Sequence, residues 1–322
     1  KTSSAANLCN RATTGVSNNE FGPPNHAPVR LPRSPKTRGS FDRFRADRLS
    51  STTMDRSARA SVTRHRAGEP TEKIEDALAI EEPLEIRVEG RSVAITMRTP
   101  GHDEELAMGF LATEGVLRGP DDVLDLDICS ARDDGPGNII DVHLRDPAGV
   151  DLDQLSRHVF TSSSCGLCGK ATIDAVRDHH DAIPLGRALH PTLTALLSLP
   201  EKLHASQTTF QATGGLHAAA LFDAAGNLIA VREDVGRHNA VDKVLGRLLL
   251  DKLDPATLGL LVSGRIAFEI VQKALSSRVG FIAGISAPTS LAVDLAQNSG
   301  QTLIGFLRDK RCNVYAGSLA ES

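Results

Sequence analysis

The residues best suited to chemistry lie mid-chain, in Thr161-Ser-Ser-Ser-Cys165-Gly-Leu-Cys168-Gly-Lys170. Two thiols three positions apart sit among small residues, with Lys170 and the helical pattern Ala171–Arg177 just beyond. The thiolate is the reactive form of cysteine, and a helix N-terminus with a nearby cation lowers a thiol's pKa toward neutrality. Gly166 and Gly169 leave the backbone free to swing, which a stiff redox pair would not need. The spacing predicts reactive cysteine on a mobile, exposed loop.

A CxxC pair is also half of many zinc sites. The other half is poorly supplied here, because His179 and His180 are adjacent and Cys9, Cys129 and Cys312 each stand alone. A thioredoxin-like dithiol would come early in a βαβ unit, whereas this pair lies mid-chain. Two structural, buried cysteines fit badly with Ser and Gly on every side. The expectation is therefore sulfur chemistry and no bound metal.

The elements around this loop fall into three regions. The chain has 322 residues, net charge −4 and 40% hydrophobic residues, enough for one large or two modest domains. Ten Phe, one Tyr and no Trp make a poor stacking surface, so single-stranded nucleic acid is not an expected partner. No apolar run reaches the ~18 residues that would span a membrane. Five cysteines without a signal peptide suggest reduced thiols and a cytoplasmic protein.

Residues 1–53 hold nine Lys/Arg against three acids, spaced by Ser, Thr, Asn and Pro with no apolar period. Such a segment cannot bury enough surface to order itself, and it also resembles an organellar transit peptide. Met54 is the first methionine, so the expectation is a dispensable tail or sequence upstream of the natural start.

From Ile80 the pattern changes, and residues 80–153 read as a small α+β subdomain. Leu84–Val88 and Val93–Met97 alternate as a hairpin around Glu89–Ser92. Asp103 is placed to cap a helix that shows Leu106, Phe110 and Leu117 on one face. Leu124–Ile128 and Ile139–Val142 read as two further strands.

Residues 154–322 carry the CxxC loop and then alternate strand and helix. Helices are expected over Leu193–Leu203, Ala267–Ser277 and Leu291–Asn298, the last closed by Gly300. Val241, Val244, Leu245, Leu248 and Leu249 form one stripe of another. Strands are expected over Gly215–Phe222, Leu228–Val231, Leu258–Val262, Phe281–Ile285 and, last, Thr302–Leu307. This pattern predicts a mixed or parallel sheet covered by helices.

Ligands of such sheets bind where loops leave the carboxyl ends of strands. Those loops are Arg232–Asn239, Ser263–Arg265, Ser286–Ser290 and Arg308–Arg311, all mixing small residues with hydroxyls or cations. Together they point to an anionic, phosphate-bearing ligand. Neither GxxxxGK[ST] nor a GxGxxG after a strand is present, so neither common nucleotide fingerprint holds it. His238 and Glu233 invite an acid–base reading, although a structural role beside Asp234 and Arg237 fits as easily. His217 reads as a core histidine.

Five blocks now carry a resemblance. They are Ser164-Cys-Gly-Leu-Cys-Gly-Lys170, Thr213-Gly-Gly-Leu-His-Ala-Ala219, Arg232-Glu-Asp-Val-Gly-Arg-His-Asn-Ala-Val-Asp-Lys243, Val262-Ser-Gly-Arg265 and Gly305-Phe-Leu-Arg308. In this order they resemble the FdhD family, the formate dehydrogenase accessory sulfurtransferases, over about Ile80 to Gly317. The resemblance implies a cytidine-deaminase-like α/β fold and a homodimer. It implies sulfur transfer from a cysteine desulfurase to the molybdenum cofactor in its bis-molybdopterin guanine dinucleotide form, for use by formate dehydrogenase. By motif position Cys165 would carry the persulfide, with Cys168 a candidate relay. The cofactor-binding segment would fall on Phe306, Leu307, Arg308, Asp309, Lys310 and Arg311. Residues 1–53 have no counterpart in that pattern.

A deaminase-like fold raises zinc deamination, which needs H-x-E followed by P-C-x-x-C. Here Ser164 precedes the CxxC, and Ala219 stands two residues after His217. Sulfur transfer fits better, and a cofactor-binding chaperone without sulfur transfer, or a zinc-stabilised binding module, stand as alternatives.

Overall fold

The computed structural model describes residues 55–129, 137–150, 182–183 and 189–319. A six-stranded sheet holds β7 (His217–Phe222), β8 (Leu228–Asp234), β9 (Gly259–Val262), β10 (Phe281–Gly284), β11 (Thr302–Arg308) and β12 (Arg311–Ala316), in the order β12-β11-β10-β9-β7-β8. Strands β9, β10 and β11 are mutually parallel, and β7 and β12 run against them. Because β8 is antiparallel to β7, it points the same way as β9. The central strands β9 (GLLV) and β10 (FIAG) are buried at every position, as strands covered on both faces must be.

Alternation along β7 sorts its side chains onto two cores. Ala219 and Leu221 face a cluster with Val241, Val244, Leu245 and Leu248 of α4 (Arg237–Leu250), with Ile270 and Val271 of α5 (Phe268–Ser276), and with Ala292 and Ala296 of α6 (Ser290–Ser299). Ala218, Ala220 and Phe222 face Leu196, Leu199 and Leu203 of α2 (Leu193–Ser206). The result is the mixed α/β architecture the sequence predicts.

The N-terminal part keeps its own core. Strands β3 (Glu82–Val88), β4 (Arg91–Arg98), β5 (Val123–Cys129) and β6 (Ile139–Leu144) form a sheet ordered β4-β3-β6-β5, covered by α1 (Asp103–Thr113). Asp103 does not cap α1: His102 is the N-cap, in the left-handed region at φ 59, without a capping side chain. Asp103 instead takes both oxygens to the fully buried guanidinium of Arg98, at 2.9 and 3.0 Å. A buried arginine needs a paired carboxylate more than a helix end needs a cap. Leu117 lies past the end of α1, yet packs into the same core. Ahead of these strands stands a hairpin the sequence pattern does not reveal, β1 (Ser57–Arg64) against β2 (Glu72–Ala79).

Helix α4 joins the two parts. Its stripe splits: Val241, Val244, Leu245 and Leu248 face the large sheet, while Leu249 turns to the N-terminal core. At its crossing with α1 the backbones nearly touch through Gly109 and Gly246. Buried polar pairs stitch the same contact, with Lys273 Nζ 2.9 Å from both carboxylate oxygens of Asp242 and Thr113 Oγ1 donating to Asp242 at 3.1 Å.

Candidate functional site

Cys165 and Cys168 lie outside the described residues. The free cysteines within them are Cys129 and Cys312, and burial pushes the Cys312 thiol up, away from the nucleophilic thiolate.

The expected ligand rim is formed by the parallel strands. The carboxyl ends of β8, β9, β10 and β11 all open on one edge of the sheet. Three of the loops there are tied to one another by backbone. Ile266 N donates to Ala287 O at 3.1 Å, Thr289 N to Ile266 O at 2.9 Å, and Phe306 N to Ser286 O at 3.0 Å. On the other side, Ser263 N donates to Ala218 O and Ala218 N to Ser263 Oγ, both at 2.9 Å. The rim is thus one hydrogen-bonded shelf from β7 to β11.

At its end, Phe306–Arg311 is a tight hairpin rather than a loop after a last strand, because β12 follows and pairs Arg308 with Arg311. Asp309 and Lys310 are both left-handed, at φ 53 and 55, which is the two-residue turn that matches strand twist. Phe306 is also left-handed, at φ 51, within a bulge between Gly305 and Arg308. The Arg308 guanidinium lies 5.4 Å from the Phe306 ring centroid, a cation–π pair. Leu307 is wholly buried in the core under α2, so its backbone is what it has to offer a ligand. Arg308, Asp309, Lys310 and Arg311 are exposed.

The stretch read as the loop Arg232–Asn239 is mostly not loop. Strand β8 runs on to Asp234, α4 starts at Arg237, and only Val235 and Gly236 lie between. Glu233 is no acid–base candidate, since its carboxylate accepts from Thr209 N and Phe210 N at the start of α3 (Thr208–Thr213), at 3.1 and 2.7 Å. Asp234 is fully buried and accepts from Gly236 N, Asn239 Nδ2, Thr99 N and, at 2.7 Å, Lys243 Nζ. These side chains anchor α4 to β4. Arg237 lies beside Gly264 at the end of β9, on the shelf. His217, read as a core residue, stands half-buried at the first position of β7 on this same edge. Its place after Thr213-Gly-Gly was the available signal, because a histidine just past two glycines begins a strand rather than fills one.

Arg232 grips Glu105 of α1 through Nη2 at 2.6 Å. Burial pushes the Glu105 carboxyl up, but hydrogen bonds from Arg232 and His102 outweigh it and hold the pKa at about 2. A carboxylate whose folded pKa lies below its unfolded one adds stability above the unfolded value and loses it as pH falls. Roughly 3 kcal/mol should therefore disappear between about pH 4.5 and 2. Urea titrations across that range should show the loss, and Glu105→Gln should flatten it. An unchanged pH slope in that variant would place the acid sensitivity elsewhere.

This fold defines a mixed α/β protein whose strand-end rim carries exposed Arg265, Arg308, Lys310 and Arg311. The FdhD/NarQ family pattern matches residues 79–320, and the chain belongs to that family. Relatives named "Sulfur carrier protein FdhD" are 53% identical over 250 residues in Streptomyces avermitilis (75% of this chain, 88% of the relative). In Mycobacterium tuberculosis such a relative is 46% identical over 262 residues (78% of this chain, 94% of the relative). A crystal structure from Desulfotalea psychrophila, described as a formate dehydrogenase accessory protein, shares the fold at TM-score 0.64 and 24% identity, covering 82% of this chain and 98% of its own. Among the described residues no helix is long and apolar enough to cross a membrane.

Proposed function

We propose that this chain is a sulfur carrier serving formate dehydrogenase, holding sulfur as a persulfide on Cys165. Its sulfur comes from a cysteine desulfurase, and its acceptor is the molybdenum cofactor in the bis-molybdopterin guanine dinucleotide form. The observation that carries the reading is the run Ser164-Cys-Gly-Leu-Cys-Gly-Lys170 in a chain about half identical to proteins named sulfur carriers. In the loading step the Cys165 thiolate attacks the outer sulfur of the donor's persulfide. One S–S bond forms and one breaks, and the donor cysteine leaves as a thiolate, so no outside oxidant is needed. The family's homodimer belongs to the same reading.

Mass spectrometry after incubation with a cysteine desulfurase and cysteine tests it. The peptide holding residues 165–168 should gain the mass of one sulfur. No gain on that peptide, with the desulfurase active, would sink the carrier role and leave a cofactor-binding chaperone.

The acceptor is assigned to the hairpin of Phe306, Leu307, Arg308, Asp309, Lys310 and Arg311. Arg308 and Arg311 face each other across its turn, and a guanidinium makes paired hydrogen bonds that an ammonium does not. Arg308→Ala should weaken guanine nucleotide binding roughly ten- to a hundredfold, the loss of one charge-assisted contact. Persulfide formation should be untouched. Equal nucleotide affinity in variant and parent would move the site along the shelf.

A further inference from the structure

The hairpin of β1 and β2 is a two-stranded sheet of its own, joined to neither larger sheet. Its root is fixed, with Ile80 N donating to Arg56 O at 3.0 Å and the ribbon lying against α3. From there the paired strands run about 25 Å to a turn closed by Glu69 N on Arg66 O. A ribbon of two strands is marginal in water until one of its faces is covered.

Directly opposite residues of an antiparallel pair share a face. One face is polar, with Arg59, Ser61 and Thr63 opposite Ala77, Glu75 and Lys73. The other carries Ala58, Ala60 and Val62 opposite Leu78, Asp76 and Ile74. The body of the molecule lies under the polar one. Ala77 and Ala79 on that side are half-buried, and a Cβ on Gly215 would come 3.4 Å from Ala79 Cβ. Leu78, on the other side, stays 48% exposed. The apolar contrast is small, mostly alanine against serine, but it points away from the chain's own core. A chain folding alone gains nothing from that orientation.

Charge says what covers the outer face. Strand β1 contains Arg59 and Arg64 and no acid, whereas β2 contains Glu72, Glu75 and Asp76 with Lys73. The ribbon is thus basic along one strand and acidic along the other. A second identical ribbon, turned about a two-fold axis along its length, meets it with β1 over β2 and β2 over β1. Opposite charges then face each other. The same rotation sets Val62 over the partner's Ile74 and Leu78 over the partner's Ala58, a large side chain on a small one.

We propose that the β1–β2 ribbon is an arm through which two copies of this chain associate, stacked by their apolar faces with β1 of each over β2 of the other. This rests on the homodimer of the reading above and is independent of its sulfur chemistry.

Sedimentation equilibrium of the full chain tests it. Leu78→Asp should raise the dimer Kd roughly a hundredfold, because a two-fold interface loses each contact twice. Leu78→Ala should weaken the dimer in the same direction and serves if the aspartate melts the ribbon. Arg59→Glu with Arg64→Glu should weaken association, as should Glu75→Lys with Asp76→Lys. An equimolar mixture of these two charge variants should associate more tightly than either alone, since the altered strands then face opposite charges. No such gain on mixing, or an unchanged Kd in both Leu78 variants, would overturn the arm and leave the homodimer standing on another surface. A monomeric parent would overturn arm and homodimer together and leave the face to a different protein, while persulfide mass on the 165–168 peptide still judges the carrier role.

Discussion

Exchange of Cys165 for alanine is expected to abolish sulfur loading and every activity that depends on it, with the folded state unchanged. The carrier step needs a thiolate that accepts a sulfur and later releases it, and no other group in the 161–170 run except Cys168 could do so. Cys312 is poorly suited to stand in, because burial pushes its thiol pKa up, away from the reactive thiolate. Cys168 lies nearer Lys170 and is assigned a relay, so Cys168→Ala should retain more activity than Cys165→Ala. Persulfide mass and formate dehydrogenase activation in a reconstituted system read the two variants side by side. Equal and complete loss in both would favour a dithiol or a metal mechanism. About one zinc per chain in the purified protein would then identify the metal case.

The sheet was legible because buried strands are short apolar runs with punctuation. Leu258–Val262 and Phe281–Ile285 could hardly be anything else, and the α4 stripe gave the covering helix. The β1–β2 hairpin was not legible, because its residues are mostly exposed and show little apolar contrast for alternation to reveal. Arg232, Glu233 and Asp234 misled for a related reason. Charged residues at a strand end look like a loop until their partners are known, and those partners are Glu105, far back in the chain, the α3 amides, and Lys243 inside the next helix. For the site, the sequence yields the chemical types and the shared strand-end edge. Which of those charges are consumed by the fold, and which are left for a ligand, is decided by long-range pairing that no local pattern records.

Gly246→Ala gives the sharpest test of the packing that holds the rim in place. In an ordinary helix interior this change stabilises by roughly 0.5–1 kcal/mol, since glycine is the more flexible residue. Here the sign should reverse. A Cβ on Gly246 would fall well inside contact distance of the Glu105 carbonyl oxygen and 2.7 Å from its carbon, and both belong to backbone. No side-chain rotation relieves that overlap, so α1 and α4 must move apart. The separation loosens the Thr113–Asp242 link across the same crossing and disturbs Arg232–Glu105, which ties α1 to β8. Overpacking of this kind costs about 1–3 kcal/mol and sometimes more. For a chain of this size the melting temperature should fall by roughly 2–4 °C per kcal/mol. Gly109→Ala meets the Asp242 carbonyl in the same way, and the double variant should lose less than the sum, because one displacement relieves both overlaps. A melting temperature that stayed level or rose in Gly246→Ala would show that the two helices are not in the close contact on which this account of the rim depends.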